Sequence, residues 1–380
     1  MSRPIIAAYH FPQWHPDPRN DRWHGPGWTE WDLVRANPAR FPGHQPLQPA
    51  WGCHDESDPS QMAREIDLAA DHGLDAFIFD TYWYEDGPFL DHAITEGFLR
   101  APNRHRLRFA CMWANHTWRN WHPCNATQHP WRDAALLDGA VSRASWRRFA
   151  ERIAGWMTDP GYLRLGGRPY FSIYQVRTFM QACGSLAAAA DELAWFRAVV
   201  RERTGVEPHL GAVWGRLGGL DLPEAEVYRR LGLESMTPYN CSDHHPIWEE
   251  AFPIADWAPV DAANRAAWRT TDPGSGLPYI PNLTTGWDSS ARCCPSDAWQ
   301  RRAYPWYPVL PDDAQRFGRE LAALSDWFAT QPDALPMLTL NAWNEWTEGA
   351  VLLPTTAHGT ALLQQVRQVF GVACPSVAQA

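Results

Sequence analysis

The chain has 380 residues, and 45% of them are hydrophobic, which is ample for a large buried core. Its formal net charge is −10 and it contains no run of Lys or Arg, so nucleic acid is not expected as a partner, because phosphates are neutralised by basic stripes. No apolar stretch of about 18 residues occurs, and we therefore expect no membrane insertion.

Short apolar runs rich in aromatic and β-branched residues predict eight strands. In chain order they are residues 5–11, 76–83, 108–114, 169–175, 210–215, 234–239, 279–288 and 336–346. Helical patterns separate most of them, including 60–72, 142–157, 186–204 and 312–330. This alternation predicts an α/β fold, a (β/α)8 TIM barrel with long loops at its C-terminal face. No Gly/Ser linker divides the chain, so residues 1–380 are expected to form a single domain.

The ends of the predicted strands combine aromatic and polar side chains. In (β/α)8 barrels, chemistry collects at these ends. The strand-end residues include His10, Asp80, Tyr82, Trp83, Trp113, Asn115, Tyr174, Tyr239, Trp287, Asp288, Asn344 and Glu345. The chain also has 23 Trp, whose flat apolar faces and N–H donors suit stacking against sugar rings. The pattern predicts a carbohydrate cleft, with other tryptophans in the core.

The segment NAWNEWTEG (341–349) places Glu345 and Glu348 three residues apart among tryptophans. Glycoside hydrolysis usually needs two carboxyl groups, one that protonates the leaving oxygen and one that acts as base or nucleophile. A helical turn would put both side chains on one face, and the neighbouring Trp343 and Trp346 would raise one pKa by lowering the local dielectric. An ExxE pattern is also common on helix surfaces, but its position at the end of the eighth predicted strand favours a catalytic pair.

Other candidate residues have two interpretations each. In GWTEWD (27–32), Glu30 either accepts a sugar hydroxyl or stabilises a helix N-terminus. Asp288 and Arg292 either line the cleft or form a local ion pair of little energetic value. His54 and the DHH segment (243–245) lie beside acidic residues, but no HxH, HExxH or Cys/His spacing is present. We therefore expect loops there, and neither a metal nor a cofactor.

Seven ordered blocks resemble the WbsX-type family found in bacterial polysaccharide clusters. That family is related to glycoside hydrolase family 99, the endo-α-mannosidases and endo-α-mannanases. The blocks are residues 8–34, 42–49, 68–84, 109–122, 162–175, 282–292 and 341–354. The resemblance implies a (β/α)8 barrel that cleaves or rearranges glycosidic bonds with retention. It implies that Glu345 assists the sugar 2-hydroxyl as a base, giving an epoxide-like intermediate, and that Glu348 is general acid and then base.

Matching positions in these blocks, together with the strand ends, are candidates for substrate binding. They are Tyr9, His10, Gln13, Trp28, Glu30, Trp31, His44, Gln45, Asp80, Tyr82, Trp83, Trp113, Asn115, Trp118, Tyr174, Tyr239, Trp287, Asp288, Arg292, Trp343, Asn344 and Trp346. The chain departs from the family pattern at Leu353 and Thr355, where acids are usual, and at Asp80, where an aromatic residue is more usual.

The sequence thus favours a retaining, endo-acting glycoside hydrolase whose partner is a microbial polysaccharide or glycan, with mannose as one possible component. One alternative is a glycosyltransferase or transglycosylase of O-antigen or capsule biosynthesis, although no DxD or GxGxxG motif is present. Another is a non-catalytic carbohydrate-binding barrel. The start MSRPIIAAYHF shows no signal-peptide pattern, so a cytoplasmic location is expected, or a secreted one if a signal has been removed. The sequence leaves the oligomeric state open.

Overall fold

The computed structural model describes residues 3–120, 122–126, 135–213, 217 and 222–371. Its centre is a parallel barrel sheet. The barrel strands are β1 (Ile5–His10), β2 (Ala76–Tyr84), β3 (Arg108–Trp113), β4 (Arg168–Ile173), β5 (His209–Val213), β6 (Ser235–Thr237), β7 (Asn282–Thr284) and β8 (Met337–Asn341). They pair in the order β6-β5-β4-β3-β2-β1-β8-β7. A parallel bridge between Met236 and Tyr279 joins the two ends of this series, so the predicted (β/α)8 barrel is confirmed.

Helices follow most of the strands. They are α1 (Pro18–His24), α2 (Trp31–Ala36), α3 (Pro59–Asp71), α4 (Arg143–Trp156), α5 (Val176–Cys183), α6 (Leu186–Thr204), α7 (Glu224–Leu231), α8 (Trp257–Ala267), α9 (Ala314–Thr330) and α10 (Ala361–Phe370). Among the described residues, no helix is both long and apolar enough to cross a bilayer.

Side-chain caps fix where several of these helices begin. Asp58, Ser142, Ser185 and Asp313 each accept a hydrogen bond from a backbone N–H in the first turn of α3, α4, α6 and α9. Such caps satisfy donors that have no partner inside the helix. The four helices named from the sequence match these four to within two residues at each end.

The strands predicted over 279–288 and 336–346 are longer than the observed ones. β7 ends at Thr284, and the chain then enters a 3₁₀ turn, Ser289–Arg292, in which the Asp288 side chain accepts from the Ser290 N–H. β8 ends at Asn341. A separate short strand, Asn344–Glu345, pairs antiparallel with Ala350–Val351. Because this hairpin lies outside the barrel sheet, β8 does not continue to residue 346 as predicted. We call this small structure the glutamate hairpin.

Tryptophans also fill the layer between the barrel and the helices. Trp113, at the end of β3, stacks on Trp146 of α4 with ring centroids 5.0 Å apart. Phe179 and Phe196 lie against the same Trp146 ring. Trp113 therefore points outward into the helix layer, and its burial contributes to stability through apolar area removed from water.

Replacing Trp146 by alanine should strongly destabilise the fold. The ring is 2% exposed, so its removal leaves a cavity in a closely packed layer. We expect Trp146→Ala to lower the free energy of unfolding by ~3–5 kcal/mol in urea denaturation. Trp248→Ala is the matched control because Trp248 is 40% exposed. Equal losses for the two variants would contradict this account of the helix layer.

Candidate active site

The glutamate hairpin carries the predicted catalytic pair. Glu345 ends its first strand, and Glu348 ends the 3₁₀ turn Trp346–Glu348. Gly349 follows with a positive φ of 67°, and a Cβ atom there would lie 2.6 Å from the backbone nitrogen of Asp288. Glycine is therefore needed both for the backbone conformation and for the close approach of the neighbouring loop. The two glutamates are 4% and 7% exposed, so both carboxyl groups lie in a buried setting.

Both glutamates line a cavity of about 480 Å³. Its walls come from the C-terminal ends of the barrel strands and the loops that follow them. The lining residues are Phe11, Glu30, Asp80, Tyr82, Met112, Ala114, His116, Thr117, Trp118, Arg119, His122, Tyr174, Gln175, Tyr239, Asn240, Trp287, Arg292, Tyr304, Glu345 and Glu348. Aromatic rings and carboxyl groups together line one space, and this combination suits a sugar with apolar faces and hydroxyl edges.

The Arg292 guanidinium joins the two glutamates. Its Nη1 donates to Glu348 Oε1 at 2.5 Å, and its Nη2 donates to Glu345 Oε2 at 3.1 Å. Tyr304 donates its hydroxyl to the same Glu348 oxygen at 2.8 Å. Two charge-assisted bonds from one planar group hold the carboxylates at fixed positions relative to each other.

Glu30 belongs to the same network. Thr347 donates its hydroxyl to Glu30 and accepts from Arg292 Nε at 3.0 Å, while Arg292 Nη2 lies 3.8 Å from Glu30 Oε2. Glu30 precedes α2, but its side chain makes no capping hydrogen bond there. The Glu30 side chain therefore lines the cavity, as the first interpretation of the sequence requires, and its contact with a sugar hydroxyl stays a prediction.

A fourth carboxyl group, Asp80 of β2, faces the pair. Tyr239 donates its hydroxyl to Asp80 Oδ2 at 2.7 Å and lies 3.4 Å from Glu345 Oε1. Burial raises the pKa of Asp80 to about 8, with a smaller contribution from the Glu348 charge and against the hydrogen bond from Tyr239. Asp80 is therefore mostly protonated near neutral pH.

Burial also raises the pKa of Glu345 well above its usual value. The charge of Glu348 adds to this effect, Arg292 opposes it, and Glu30 and Asp80 raise it further. The pKa of Glu30 is raised by the same cause, burial, and lowered in part by Arg292 and Thr347. The site thus brings together acids whose pKa values are raised towards neutral pH, and such shifts are typical of functional sites.

The structure brings some of the predicted site residues together at this cavity. Those that line it are Glu30, Asp80, Tyr82, Trp118, Tyr174, Tyr239, Trp287, Arg292, Glu345 and Glu348. The other candidates do not belong to the lining: Tyr9, His10, Gln13, Trp28, Trp31, His44, Gln45, Trp83, Trp113, Asn115, Asp288, Trp343, Asn344 and Trp346.

Several of the residues outside the lining have structural partners. Asn115 bonds the backbone N–H and C=O of Gln175 at 2.7 and 2.8 Å. Trp83 donates its indole N–H to Ser145 Oγ at 3.0 Å, beneath α4. His44 lies 2.8 Å from an Asp288 oxygen. Asp288 therefore pairs with His44, and Arg292 pairs with the glutamates. The local ion pair between Asp288 and Arg292 that the spacing allowed is not formed among the described contacts.

Several residues that line the cavity were not among the predicted substrate-binding residues. His116, Arg119 and His122 fall within the block 109–122 but were not singled out as candidates. Tyr304 lies in a Pro-rich segment far from any predicted strand, and nothing in the pattern points to its bond with Glu348. Leu353 and Thr355, which replace the usual acids, are buried and lie outside the lining.

Comparison with known sequences assigns the chain to a family. The sequence profile described as Glycosyltransferase WbsX matches residues 6–216 and 248–366. The chain belongs to this WbsX family. Two strains of Xanthomonas campestris pv. campestris contain a relative, the uncharacterized protein WxcX, that is 31% identical over 381 residues. The match covers 96% of this chain and 49% of the relative, so the chain spans about half the length of those proteins.

The fold is shared with two solved structures of low sequence identity. A glycoside hydrolase-like protein is 15% identical with a TM-score of 0.59, covering 98% of this chain and 95% of that one. The GH99 endo-alpha-mannosidase from Bacteroides thetaiotaomicron is 12% identical with a TM-score of 0.53, covering 96% of each chain. At these identities the likeness establishes the barrel fold of this WbsX family member.

Replacing Arg292 should destabilise the protein more at high pH than at low pH. Arg292→Gln removes the only guanidinium that the described contacts place on Glu30, Glu345 and Glu348. The folded-state pKa values of Glu30 and Glu345, which Arg292 lowers in the wild type, then rise further above the unfolded values, so stability is lost as pH increases. We expect a loss of ~3–5 kcal/mol near pH 8 and less near pH 5 in urea denaturation.

The exposed Arg319 supplies the control for that experiment, because Arg319→Gln removes the same charge from the surface. A pH-independent loss in Arg292→Gln, or the same loss in both variants, would refute the proposed balance of charges.

Asp80→Asn should remove one pH-dependent contribution to stability. Because the folded pKa of Asp80 is about 8 and the unfolded value is near 4, the wild type loses stability between these two values. The amide stays neutral, so the free energy of unfolding of the variant increases relative to that of the wild type by up to ~1.4 kcal/mol for each pH unit as pH rises through that window. Calorimetric melting curves from about pH 4 to about pH 8 measure the difference, and parallel curves would disprove the raised pKa.

Proposed function

We propose that this WbsX family member is a glycan-processing enzyme, and that its chemistry is the retaining hydrolysis of a glycosidic bond within a microbial polysaccharide. The observation that carries the proposal is the pair Glu345 and Glu348, held by one guanidinium at the floor of an aromatic, carboxylate-rich cavity. Two carboxyl groups flanking one space are the minimum that most glycosidases need. The glycoside hydrolase-like fold supports the same class.

The lining of the cavity favours a neutral glycan over a nucleotide diphosphate. Glu30, Asp80, Glu345 and Glu348 all face the space, and Arg292 already bonds to two of them. A diphosphate group carries mainly acceptor oxygens and would face the acceptor oxygens of these carboxyl groups, whereas sugar hydroxyls can donate to them. The rings of Tyr82 and Trp118, in edge contact with centroids 5.2 Å apart, provide an apolar wall for a sugar face.

We assign the base role to Glu345 and the acid/base role to Glu348, as the family resemblance implies. A raised pKa makes Glu345 a stronger base once it is ionised, which suits removal of a proton from a sugar 2-hydroxyl. Glu348 must carry a proton to the leaving oxygen, although Arg292 and Tyr304 both donate to its carboxylate in the free protein. Substrate binding therefore has to weaken this hold before Glu348 can act as the acid.

Transfer to a sugar acceptor is the second candidate, and the family description favours it. The same two carboxyl groups can serve both reactions, because an acceptor hydroxyl can replace water in the second step. Exclusion of water from the cavity and the presence of an acceptor would then decide the product. An endo-acting mode and a mannose-containing substrate belong to the proposal as its most specific form.

The first test measures new reducing ends released from bacterial and yeast polysaccharides, α-mannans included, with no nucleotide sugar added. We expect release by the wild type, and a loss of at least ~100-fold in Glu348→Gln with substrate binding retained, because one proton transfer is removed. Glu249→Gln is the matched control, since Glu249 is exposed. Full activity of Glu348→Gln would refute its role, and activity only with a nucleotide sugar would establish transfer.

An activated aryl glycoside separates the two glutamates. Its leaving group needs no protonation, so Glu348→Gln should regain most of its bond-cleaving rate on that substrate, whereas Glu345→Gln should stay inactive. The opposite pattern would exchange the two roles.

A further inference from the structure

Three titratable side chains meet in the interior outside the cavity lining. His10 ends β1, Glu56 lies in the loop before α3, and Glu65 lies in the middle of α3. All three side chains are completely buried. We call His10, Glu56 and Glu65 the buried triad. Two carboxyl groups in such a place need strong compensation, because an ionised carboxylate is costly to remove from water.

The spacing within the triad is that of ligands around one cation. His10 Nε2 lies 3.7 Å from Glu56 Oε2 and 3.8 Å from Glu65 Oε2, and all three atoms lie within 4.8 Å of one another. These distances are too long for hydrogen bonds. Metal bonds to imidazole nitrogen and carboxylate oxygen are about 2.0–2.2 Å long, so two ligand atoms on one ion are roughly 3–4 Å apart.

Glu56 adds an independent observation. Its Oε1 accepts from Asn344 Nδ2 at 2.7 Å, but its fully buried Oε2 has no hydrogen-bond partner among the described residues. That oxygen is directed at His10 Nε2. Buried polar atoms nearly always have a hydrogen-bond partner. A carboxylate oxygen without one, directed at other atoms that can ligate a metal, therefore indicates that a positive charge is missing from this place.

Hydrogen bonds from neighbouring side chains hold the Glu65 carboxylate in place. Trp343 donates its indole N–H to Glu65 Oε2 at 2.7 Å, and His54 Nε2 lies 2.7 Å from Oε1. Such hydrogen bonds orient ligating carboxylates in metal sites.

We propose that the buried triad binds one divalent transition-metal cation, of the class of Zn²⁺ or Mn²⁺. One imidazole and two carboxylates suit these ions better than Mg²⁺, which prefers oxygen ligands and retains water. The cation would connect β1, the loop before α3 and α3 itself. Through Asn344 and Trp343 it would also brace the chain that leads to Glu345, so its role is structural.

The test begins with full-length protein that carries no polyhistidine tag, stripped with EDTA and then dialysed against Zn²⁺ or Mn²⁺. Elemental analysis should find about one equivalent of metal, and calorimetry should find a melting temperature raised by ~4 °C at a hundredfold excess over the dissociation constant. The proposal would be overturned by a metal content below about a tenth of an equivalent together with an unchanged melting temperature for either ion. Protons would then be the compensating charge.

Variants locate the site. Glu56→Gln keeps the acceptor for Asn344 but removes the ligating charge, so we expect at least a tenfold weaker metal affinity in calorimetric titration. Glu320→Gln removes a carboxylate on α9 that is 3% exposed and lies outside the triad, and it should keep wild-type affinity. If Glu56→Gln does not fold, Glu65→Gln and the wild-type metal content still decide. Unchanged binding in both triad variants would place the metal elsewhere and refute the assignment.

Discussion

The bonds from Arg292 to Glu345 and Glu348 are the interaction on which the rest of the site depends. Several acids converge on one buried cavity, and they would repel one another without a central positive charge. A guanidinium suits this position because it is always charged and offers donors in fixed directions. Arg292 is positioned by the 3₁₀ turn after Asp288. It therefore connects the loop that follows β7 to the glutamate hairpin that follows β8.

The acids of the cavity differ in their electrostatic environments. Asp80 is compensated mainly by the Tyr239 hydroxyl and is protonated near neutral pH, whereas Glu348 accepts bonds from both Arg292 and Tyr304. Catalytic sites that use two carboxyl groups depend on such differences in environment, because the two groups take different parts in the reaction. The protein obtains these differences from burial and from the placement of one arginine and two tyrosines.

The family description and the names of the structurally similar proteins refer to two different chemistries. The family description names a glycosyltransferase, whereas the solved structures of similar fold are a glycoside hydrolase-like protein and an endo-alpha-mannosidase. A pair of acids can hydrolyse a glycosidic bond or pass the sugar to an acceptor, and access of water decides between them. The chain also spans about half of its WxcX relatives, so any contribution from their other half lies outside this barrel.

The sequence by itself predicted the barrel and the positions of the four longest helices, and it identified the glutamate pair as a candidate, because these depend on local periodicity, capping residues and a compact motif. It could not determine which strand-end side chains share the cavity: Trp113 and Asn115 turn to packing and backbone contacts, while Tyr304 arrives from a distant loop. It also could not indicate the buried triad, whose members are separated by tens of residues. Only tertiary structure decides such encounters, because strand orientation and loop path, not sequence spacing, set the distances between side chains.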